Sequence, residues 1–329
     1  MTRRKASRRP AAEPGAVNPR QPCPCGSGKR YKSCHGGGGG ALVARPFDGL
    51  TSECDWIALR ELVSAGSAPV TLLEPYADRD VLAVSVLPMA LPSLTRDNGQ
   101  ILLGLQVHDS ADDASADLAA VLLQALTGPD AEPTDPDAEP TDPDAEPAGP
   151  DAASVPGGRA DGTRVRLQDL VAPQPLEVTV HEDFTFWLDE VAADSPEVVA
   201  SLEQANAAIV PTVRLSGVDA AYWCRIGDKA HLRWVMPHEE DVLLDALARL
   251  GAAGTLDLGE GTRFAGSFRA YGVLAPVWDL PPDVPAADWE QPAAEFAARL
   301  GAVLDAEAEL TEEERRVRAG LRGRQVTLR

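Results

Sequence analysis

Residues 18–36 read Asn-Pro-Arg-Gln-Pro-Cys-Pro-Cys-Gly-Ser-Gly-Lys-Arg-Tyr-Lys-Ser-Cys-His-Gly, and this stretch carries the strongest structural signal in the amino-terminal part of the chain. Cys23 and Cys25 are one residue apart, and the adjacent pair Cys34 and His35 follows after a glycine-containing turn. A segment this short cannot build an apolar core, whereas thiolates and an imidazole can close a tetrahedral metal site that holds it together. The spacing therefore predicts a structural zinc site.

The residues around the cysteines support metal binding over two alternatives. Lys29, Arg30 and Lys32 favour the thiolate form by lowering the pKa of nearby thiols. Disulfides are one alternative, but Cys23 and Cys25 are too close to bridge easily, and no secretory signal indicates an oxidising compartment. The other alternative is a set of unpaired cysteines in a disordered tail.

Residues 23–36 resemble the SEC-C motif, a small zinc-binding element known from the carboxyl-terminal tail of the SecA preprotein translocase ATPase. The resemblance implies a basic surface that contacts an acidic protein, with lipid and ribosome contacts in addition. It implies that Zn²⁺ is bound by Cys23, Cys25, Cys34 and His35. The motor of the translocase is missing, because no phosphate-binding loop occurs and Cys23 stands where its first glycine belongs. The arrangement also resembles an uncharacterised actinobacterial family with an N-terminal SEC-C motif.

The charge of the chain is distributed unevenly. The net charge is −21, yet the first 36 residues contain nine Lys or Arg and one acid, Glu13, so this end is +8 and the remainder is −29. Residues 315–329 are basic again. Basic ends attract the ribosome or other RNA, anionic lipid or an acidic protein. The alternative is that they fold back on the acidic body or only solubilise it.

The sequence predicts neither a membrane span nor a signal peptide. No run of eighteen apolar residues occurs, so we expect no transmembrane segment. The basic start leads into no apolar region of the kind that a signal peptide needs. We therefore expect a cytoplasmic protein, and five cysteines in 329 residues fit a reducing compartment.

Composition divides the chain into seven regions. The Asp-Ala-Glu-Pro-Thr-Asp-Pro repeat from residue 130 is rich in proline and acid, which excludes a helix and favours an extended spacer. The predicted regions are a disordered basic tail (1–17), the zinc-binding motif (18–36), a glycine-rich linker (37–45), a first α+β module (46–127), a disordered acidic linker (128–162), a second α+β module (163–308) and a basic carboxyl-terminal helix or tail (309–329).

The two modules share a predicted element order. Hydrophobic periodicity and turn residues predict helix, three strands and helix in each. In the first module these are residues 56–63, 68–73, 81–87, 101–107 and 114–126, and in the second they are 196–205, 209–215, 221–226, 231–235 and 242–250. The fold class is therefore α+β, and we interpret the body as a duplicated αβββα unit.

No catalytic motif is present. The sequence His238-Glu239-Glu240-Asp241 begins like a metalloprotease helix, but Val242 stands where the second histidine belongs, so we interpret the acids as the start of a helix. The sequence has no Gly-x-Ser-x-Gly elbow and no dinucleotide-binding glycine pattern. Isolated histidines such as His181 and His231 are typical of ordinary strand positions. Cys54 and Cys224 are expected to be buried.

Aromatic and arginine residues alternate in the second module. If the arginines leave one face of the sheet, they form a cationic, aromatic surface suited to phosphate or a base. The alternative is a sheet with an aromatic core side and a charged solvent side. The residues concerned are Trp223, Trp234, Phe264, Phe268 and Tyr271 with Arg214, Arg225, Arg233, Arg263 and Arg269.

These patterns favour a non-enzymatic zinc-binding adaptor, in which a mobile basic zinc motif contacts an acidic protein partner, with a link to protein export or the ribosome. The alternative is an enzyme or ligand-binding protein whose α+β body binds a phosphorylated or nucleotide ligand.

Overall fold

The computed structural model describes residues 43–106, 112–128, 164–188 and 196–328. The predicted zinc motif, and the predicted acidic linker apart from Gly128, lie outside these ranges. Within them the chain forms six α-helices and two mixed β-sheets, which confirms the α+β class. The helices are α1 (Glu53–Glu61), α2 (Ala114–Thr127), α3 (Pro196–Asn206), α4 (Glu240–Ala252), α5 (Glu290–Leu304) and α6 (Glu312–Arg322). No described helix is both long and apolar enough to cross a membrane.

Sheet 1 contains five strands in the order β3-β4-β2-β1-β5. They are β1 (Gly66–Val70), β2 (Val81–Val84), β3 (Ser93–Thr95), β4 (Ile101–Gly104) and β5 (Thr179–Val180). β2 and β4 are parallel, and the other neighbours are antiparallel. β5 follows the acidic repeat in sequence, so the edge of sheet 1 comes from the predicted second module.

Sheet 2 contains six strands in the order β11-β9-β10-β8-β7-β6. They are β6 (Thr212–Arg214), β7 (Ala221–Ile226), β8 (Lys229–Trp234), β9 (Arg263–Ala270), β10 (Val273–Leu280) and β11 (Gln325–Thr327). All neighbours are antiparallel except β11, which is parallel to β9. The predicted basic tail therefore supplies a helix, α6, and the last strand of this sheet.

The shared αβββα order does not correspond to a shared sheet topology. β7 and β8 form a tight hairpin in which Gly227 adopts φ 61°, so they must be antiparallel. In sheet 1 the extra strand β3 lies between β2 and β4 in sequence and reverses the chain, so that β4 runs parallel to β2. The two units therefore differ in the direction of their third main strand.

Two cores organise the layers. The inner face of sheet 2, defined by Tyr222, Val235 and Ala275, packs against α1 and sheet 1 in one continuous core. The outer face, defined by Trp234, Leu274 and Trp278, packs against α4 and α5. The helix α1 is buried from Glu53 to Arg60, because it lies in the core shared by the two sheets. The two predicted modules thus share a hydrophobic core.

Candidate functional site

The predicted zinc ligands Cys23, Cys25, Cys34 and His35 lie outside the described residues. In the part of the chain that the structure describes, no group of three or more His, Cys, Asp or Glu side chains is arranged to hold a metal ion. Cys54 and Cys224 are buried and free, as expected. Burial raises the pKa of the Cys54 thiol to about 12 and also raises the pKa of Cys224, so both remain protonated thiols at neutral pH.

The body contains a cleft at the junction of the two sheets. β5 is the edge of sheet 1 and β6 is the edge of sheet 2, and their Cα atoms approach within 8 Å. The cleft between them has a volume of about 670 Å³. Its lining residues are Val178, Val180, His181, Glu182, Asn206, Ile209, Pro211, Thr212, Val213, Arg214 and Trp223. Most of them are apolar, which is typical of small-molecule sites.

One wall of the cleft contains a fixed guanidinium. Arg214 on β6 donates from Nε and Nη2 to the two carboxylate oxygens of Asp55 at 3.1 and 3.0 Å. Tyr222 donates its hydroxyl to the same carboxylate at 2.5 Å. Asp55 belongs to α1 and is 3% exposed, so the charge of Arg214 is what allows this carboxylate to be buried. Burial raises the pKa of Tyr222 far above its ordinary value, and the Asp55 charge raises it further.

Another wall contains a neutral histidine. His181 Nε2 and Ser67 Oγ share a hydrogen bond of 2.8 Å, and the imidazole stacks on Phe186 at 4.2 Å. Burial lowers the pKa of His181, while the charge of Asp183 opposes this shift. The Asp183 carboxylate accepts hydrogen bonds from the backbone and hydroxyl of Thr185. The arrangement is therefore a serine–histidine pair, and these contacts do not form a serine–histidine–aspartate triad.

Trp223 lines the cleft and is 9% exposed. Its indole Nε1 has no hydrogen-bond partner among the described residues. The guanidinium of Arg225 lies 6.0 Å from the ring centroid and donates to the carbonyl of Pro282. Burying a hydrogen-bond donor without an acceptor costs free energy, so packing alone does not account for the position of this indole.

Sequence reasoning missed a polar row on the inner face of sheet 2. The strand registers place five residues side by side across β6, β7, β8, β10 and β9, namely Thr212, Cys224, His231, Asp279 and Arg263. His231 Nδ1 hydrogen-bonds to Asp279 at 3.1 Å, and Arg263 pairs with the same carboxylate. These residues are up to 67 positions apart in sequence, and only the register brings them together.

The five arginines do not form one cationic face. The registers put Arg214, Arg233 and Arg263 on the inner face, and Arg225 and Arg269 on the outer face. Asp55 pairs with Arg214, Asp279 with Arg263 and Glu240 with Arg269. The aromatic residues Trp223, Trp234 and Phe264 are buried. The pattern agrees with an aromatic core side far better than with a phosphate-binding surface.

The remaining sequence features have structural roles. Glu240 and Asp241 lie in the first turn of α4, which confirms the interpretation of the acidic run as a helix start. Arg318 donates to Asp241 at 2.7 Å and also pairs with Asp245, while Arg322 donates to Asp241 at 3.2 Å. These two basic side chains near the carboxyl terminus therefore contact the acidic body.

Comparison with protein families finds two matches. Residues 20–37 match the SEC-C motif, which confirms the resemblance seen in the sequence, and residues 46–329 match a family of unknown function, DUF5926. The first match covers a motif that generally binds zinc, and the second covers nearly all of the body. No curated protein and no solved structure matches the chain. The chain thus carries an SEC-C motif in front of the body and belongs to the family of unknown function DUF5926.

Proposed function

We propose that this protein is a cytoplasmic zinc-binding adaptor whose SEC-C motif contacts an acidic protein partner. The observation that carries the proposal is the coincidence of two features in the first 36 residues. The motif provides a complete Cys₃His ligand set, Cys23, Cys25, Cys34 and His35, and residues 1–36 carry a net charge of +8, of which +4 lies in the motif at residues 18–36. A closed zinc site of this kind fixes a short segment without a core and so presents its basic side chains in a defined arrangement.

The structure supports this layout at the point where the body begins. The backbone N–H of Val43 donates to the carbonyl of Asp112 at 2.9 Å. Arg45 pairs with Glu53 at 2.7 Å and with Glu239 at 3.0 Å, so it ties the start of the body both to α1 and to the residues that precede α4. Six residues separate the motif from Val43, and they span at most about 20 Å. The described body therefore begins with a firmly attached segment.

The charge of the body sets a condition on the partner. Beyond residue 36 the chain carries −29, so a partner must compete with carboxylates of the protein itself. Among the described residues, two acids that contact the start of the body are already engaged, because Arg45 pairs with both Glu53 and Glu239. A partner with a dense run of carboxylates matches the basic motif better than these isolated, already paired acids. Such binding weakens steeply as ionic strength rises.

The experiment measures zinc content and binding to immobilised poly-L-glutamate on the same full-length preparations. We expect one zinc ion per chain in the native protein and none in a Cys34→Ser/His35→Ala variant whose body remains folded. We expect Lys29→Gln/Arg30→Gln to weaken poly-L-glutamate binding about tenfold while retaining zinc. The matched control is Arg315→Gln/Arg316→Gln, which removes the same charge at the other end and leaves binding unchanged. Native protein without zinc, or equal weakening by both charge variants, contradicts the adaptor.

A further inference from the structure

The wall of the cleft that belongs to sheet 1 carries a carboxylate. Glu182 lies two residues beyond the end of β5, is exposed and lines the cleft. Among the described residues, no hydrogen bond or ion pair engages it. Asp183 follows directly, and hydrogen bonds from Thr185 lower the pKa of Asp183, so that it is ionised at neutral pH. This side of the cleft is therefore negative.

The charge on the opposite wall is already compensated. Arg214 on β6 lines the cleft, and its guanidinium donates through Nε and Nη2 to Asp55. A paired guanidinium attracts an anion only weakly, because the charge of its partner opposes the attraction. His181 is neutral at pH 7, since burial lowers its pKa. Arg214 and Asp55 cancel, which leaves the charge of Glu182 without compensation in the lining.

The open strand edges add backbone acceptors. The carbonyl of Pro211 accepts from β7, so the C=O group of Thr212, the next residue, points away from β7. The N–H of His181 donates to the residue before β1, so the C=O group of Val180 points away from β1. Because each edge presents N–H groups as well, the charge of the cleft decides the ligand. A primary ammonium, with three N–H donors, matches a carboxylate flanked by carbonyls.

The apolar lining near β6 calls for a hydrocarbon portion. It is formed by Ile209, Pro211, Val213 and Trp223. The guanidinium of Arg225 lies 6.0 Å from the centroid of the Trp223 ring, so positive charge is close to this end. A cationic head group is therefore placed at the opposite end, beside Glu182, and the hydrocarbon portion lies towards β6.

We infer that this cleft binds a small amphipathic amine, with the ammonium at the Glu182 carboxylate and the hydrocarbon portion against Ile209 and Pro211. The volume of about 670 Å³ lies within the range of small-molecule sites, about 300 to 1,000 Å³. The site is independent of the zinc motif and of its partner. It gives the body a ligand-binding role that the adaptor proposal does not require.

The test is calorimetric titration of the full chain at low ionic strength with 4-phenylbutan-1-amine and with 4-phenylbutan-1-ol, which has the same apolar portion and no charge. We expect one saturable site per chain for the amine. The alcohol should bind about threefold to fivefold more weakly, because an ion pair to an exposed carboxylate contributes modestly. 4-Phenylbutyrate, of opposite charge, should bind more weakly still. Absence of saturable amine binding, or an alcohol or carboxylate that binds as tightly as the amine, overturns the inference.

Two charge variants separate a defined site from the general attraction of a cation to an acidic protein. Glu182→Gln removes the charge and keeps the shape, so we expect the affinity for the amine to fall to that for the alcohol, which itself stays unchanged. The matched control is Glu177→Gln, since Glu177 is exposed, lies on the same segment and does not line the cleft. It should leave both affinities unchanged. Equal effects of the two variants, or no effect of Glu182→Gln, overturn the inference.

Ile209→Ala tests the placement of the hydrocarbon portion. It removes apolar surface from the cleft, and we expect it to weaken the amine and the alcohol alike, by about threefold. The matched control is Val326→Ala at the opposite edge of sheet 2, where the side chain is 56% exposed, and it leaves binding unchanged. Unchanged affinities in Ile209→Ala overturn the assignment of the cleft. Thermal unfolding of the four variants confirms that each remains folded.

Discussion

The two faces of sheet 2 are held by different kinds of interaction. On the outer face, Trp278 packs edge-on against Phe264 and Phe296, with ring centroids 5.5 and 4.9 Å apart. On the inner face, buried ion pairs and hydrogen bonds join the sheet to α1, most directly through Asp55 with Arg214 and Tyr222. One sheet thus carries an aromatic core on one side and, on the other, an apolar core that includes a polar junction to α1.

A second polar contact lies on the inner side. Arg60 of α1 donates to the Tyr271 hydroxyl at 2.6 Å, and that hydroxyl donates to Glu61 at 2.8 Å. Apolar contacts are favourable in many orientations, whereas a bidentate ion pair tolerates only one. Both faces bury apolar residues, and the inner face adds polar contacts to them. We propose a division in which the aromatic packing of the outer face contributes more stability than these polar contacts, which fix the position of α1 and sheet 1.

The largest expected effect tests the outer face. Trp278→Ala removes a fully buried indole that also donates to the carbonyl of Leu256 at 2.8 Å. We expect the free energy of unfolding to fall by about 3 to 5 kcal/mol, because the cavity adds to the lost burial. Urea denaturation measures this loss. Val242→Ala in α4, where the side chain is 45% exposed, is the control and should change stability by less than about 0.5 kcal/mol.

An intermediate effect tests the inner face. Asp55→Ala leaves Arg214 and the Tyr222 hydroxyl without their acceptor. Breaking a buried ion pair typically lowers the free energy of unfolding by about 3 to 5 kcal/mol. Because the Arg214 side chain is 25% exposed, we expect a smaller decrease of about 2 to 3 kcal/mol. Urea denaturation again provides the measurement.

Tyr222→Phe is the conservative comparison for that experiment. It removes one hydrogen bond to Asp55 and keeps the ion pair, so it should cost about 1 kcal/mol. If Asp55→Ala were as costly as Trp278→Ala, the proposed division between the faces would be wrong.

Local signals in the sequence predicted local structure well. The predicted carboxyl-terminal region contains a helix, α6, and its start is capped locally, since the Thr311 side chain accepts from Glu314 N–H and α6 begins at the next residue. The hairpin turn at Gly227 and the turn before β4 are likewise formed by residues close together in sequence. In each case the residues that determine the structure are neighbours in sequence. The zinc ligand set remains a prediction of this local kind.

Contacts between distant residues were not predictable in the same way. An aspartate is ordinarily exposed to solvent. Asp55 is buried because it bonds to Arg214 and Tyr222, which lie 159 and 167 residues further along the sequence. The cleft depends on β5, which pairs with β1 across the whole acidic repeat. Spacing and periodicity identify neither the partners of Asp55 nor the strand that pairs with β1. The candidate site of the body is therefore recognisable only in the folded structure.

The smallest expected effect comes from His181 at the polar margin of the cleft. Burial lowers its pKa from 6.5, so the unfolded chain takes up a proton near pH 6.5 while the folded protein does so only at lower pH. Because the unfolded state binds more protons in this window, the free energy of unfolding should fall as pH decreases below about 6.5.

His181→Gln removes this ionisation and should flatten the decline between pH 7.5 and 5.5. His238→Gln is the comparison, since burial lowers the pKa of that histidine as well and it lies away from the cleft. Urea denaturation across the pH range measures both slopes. If the free energy of unfolding of the native protein and of His181→Gln decreases with the same slope as pH falls, the surroundings do not hold the imidazole neutral. The cleft would then carry a positive charge at mildly acidic pH, which its geometry alone does not indicate.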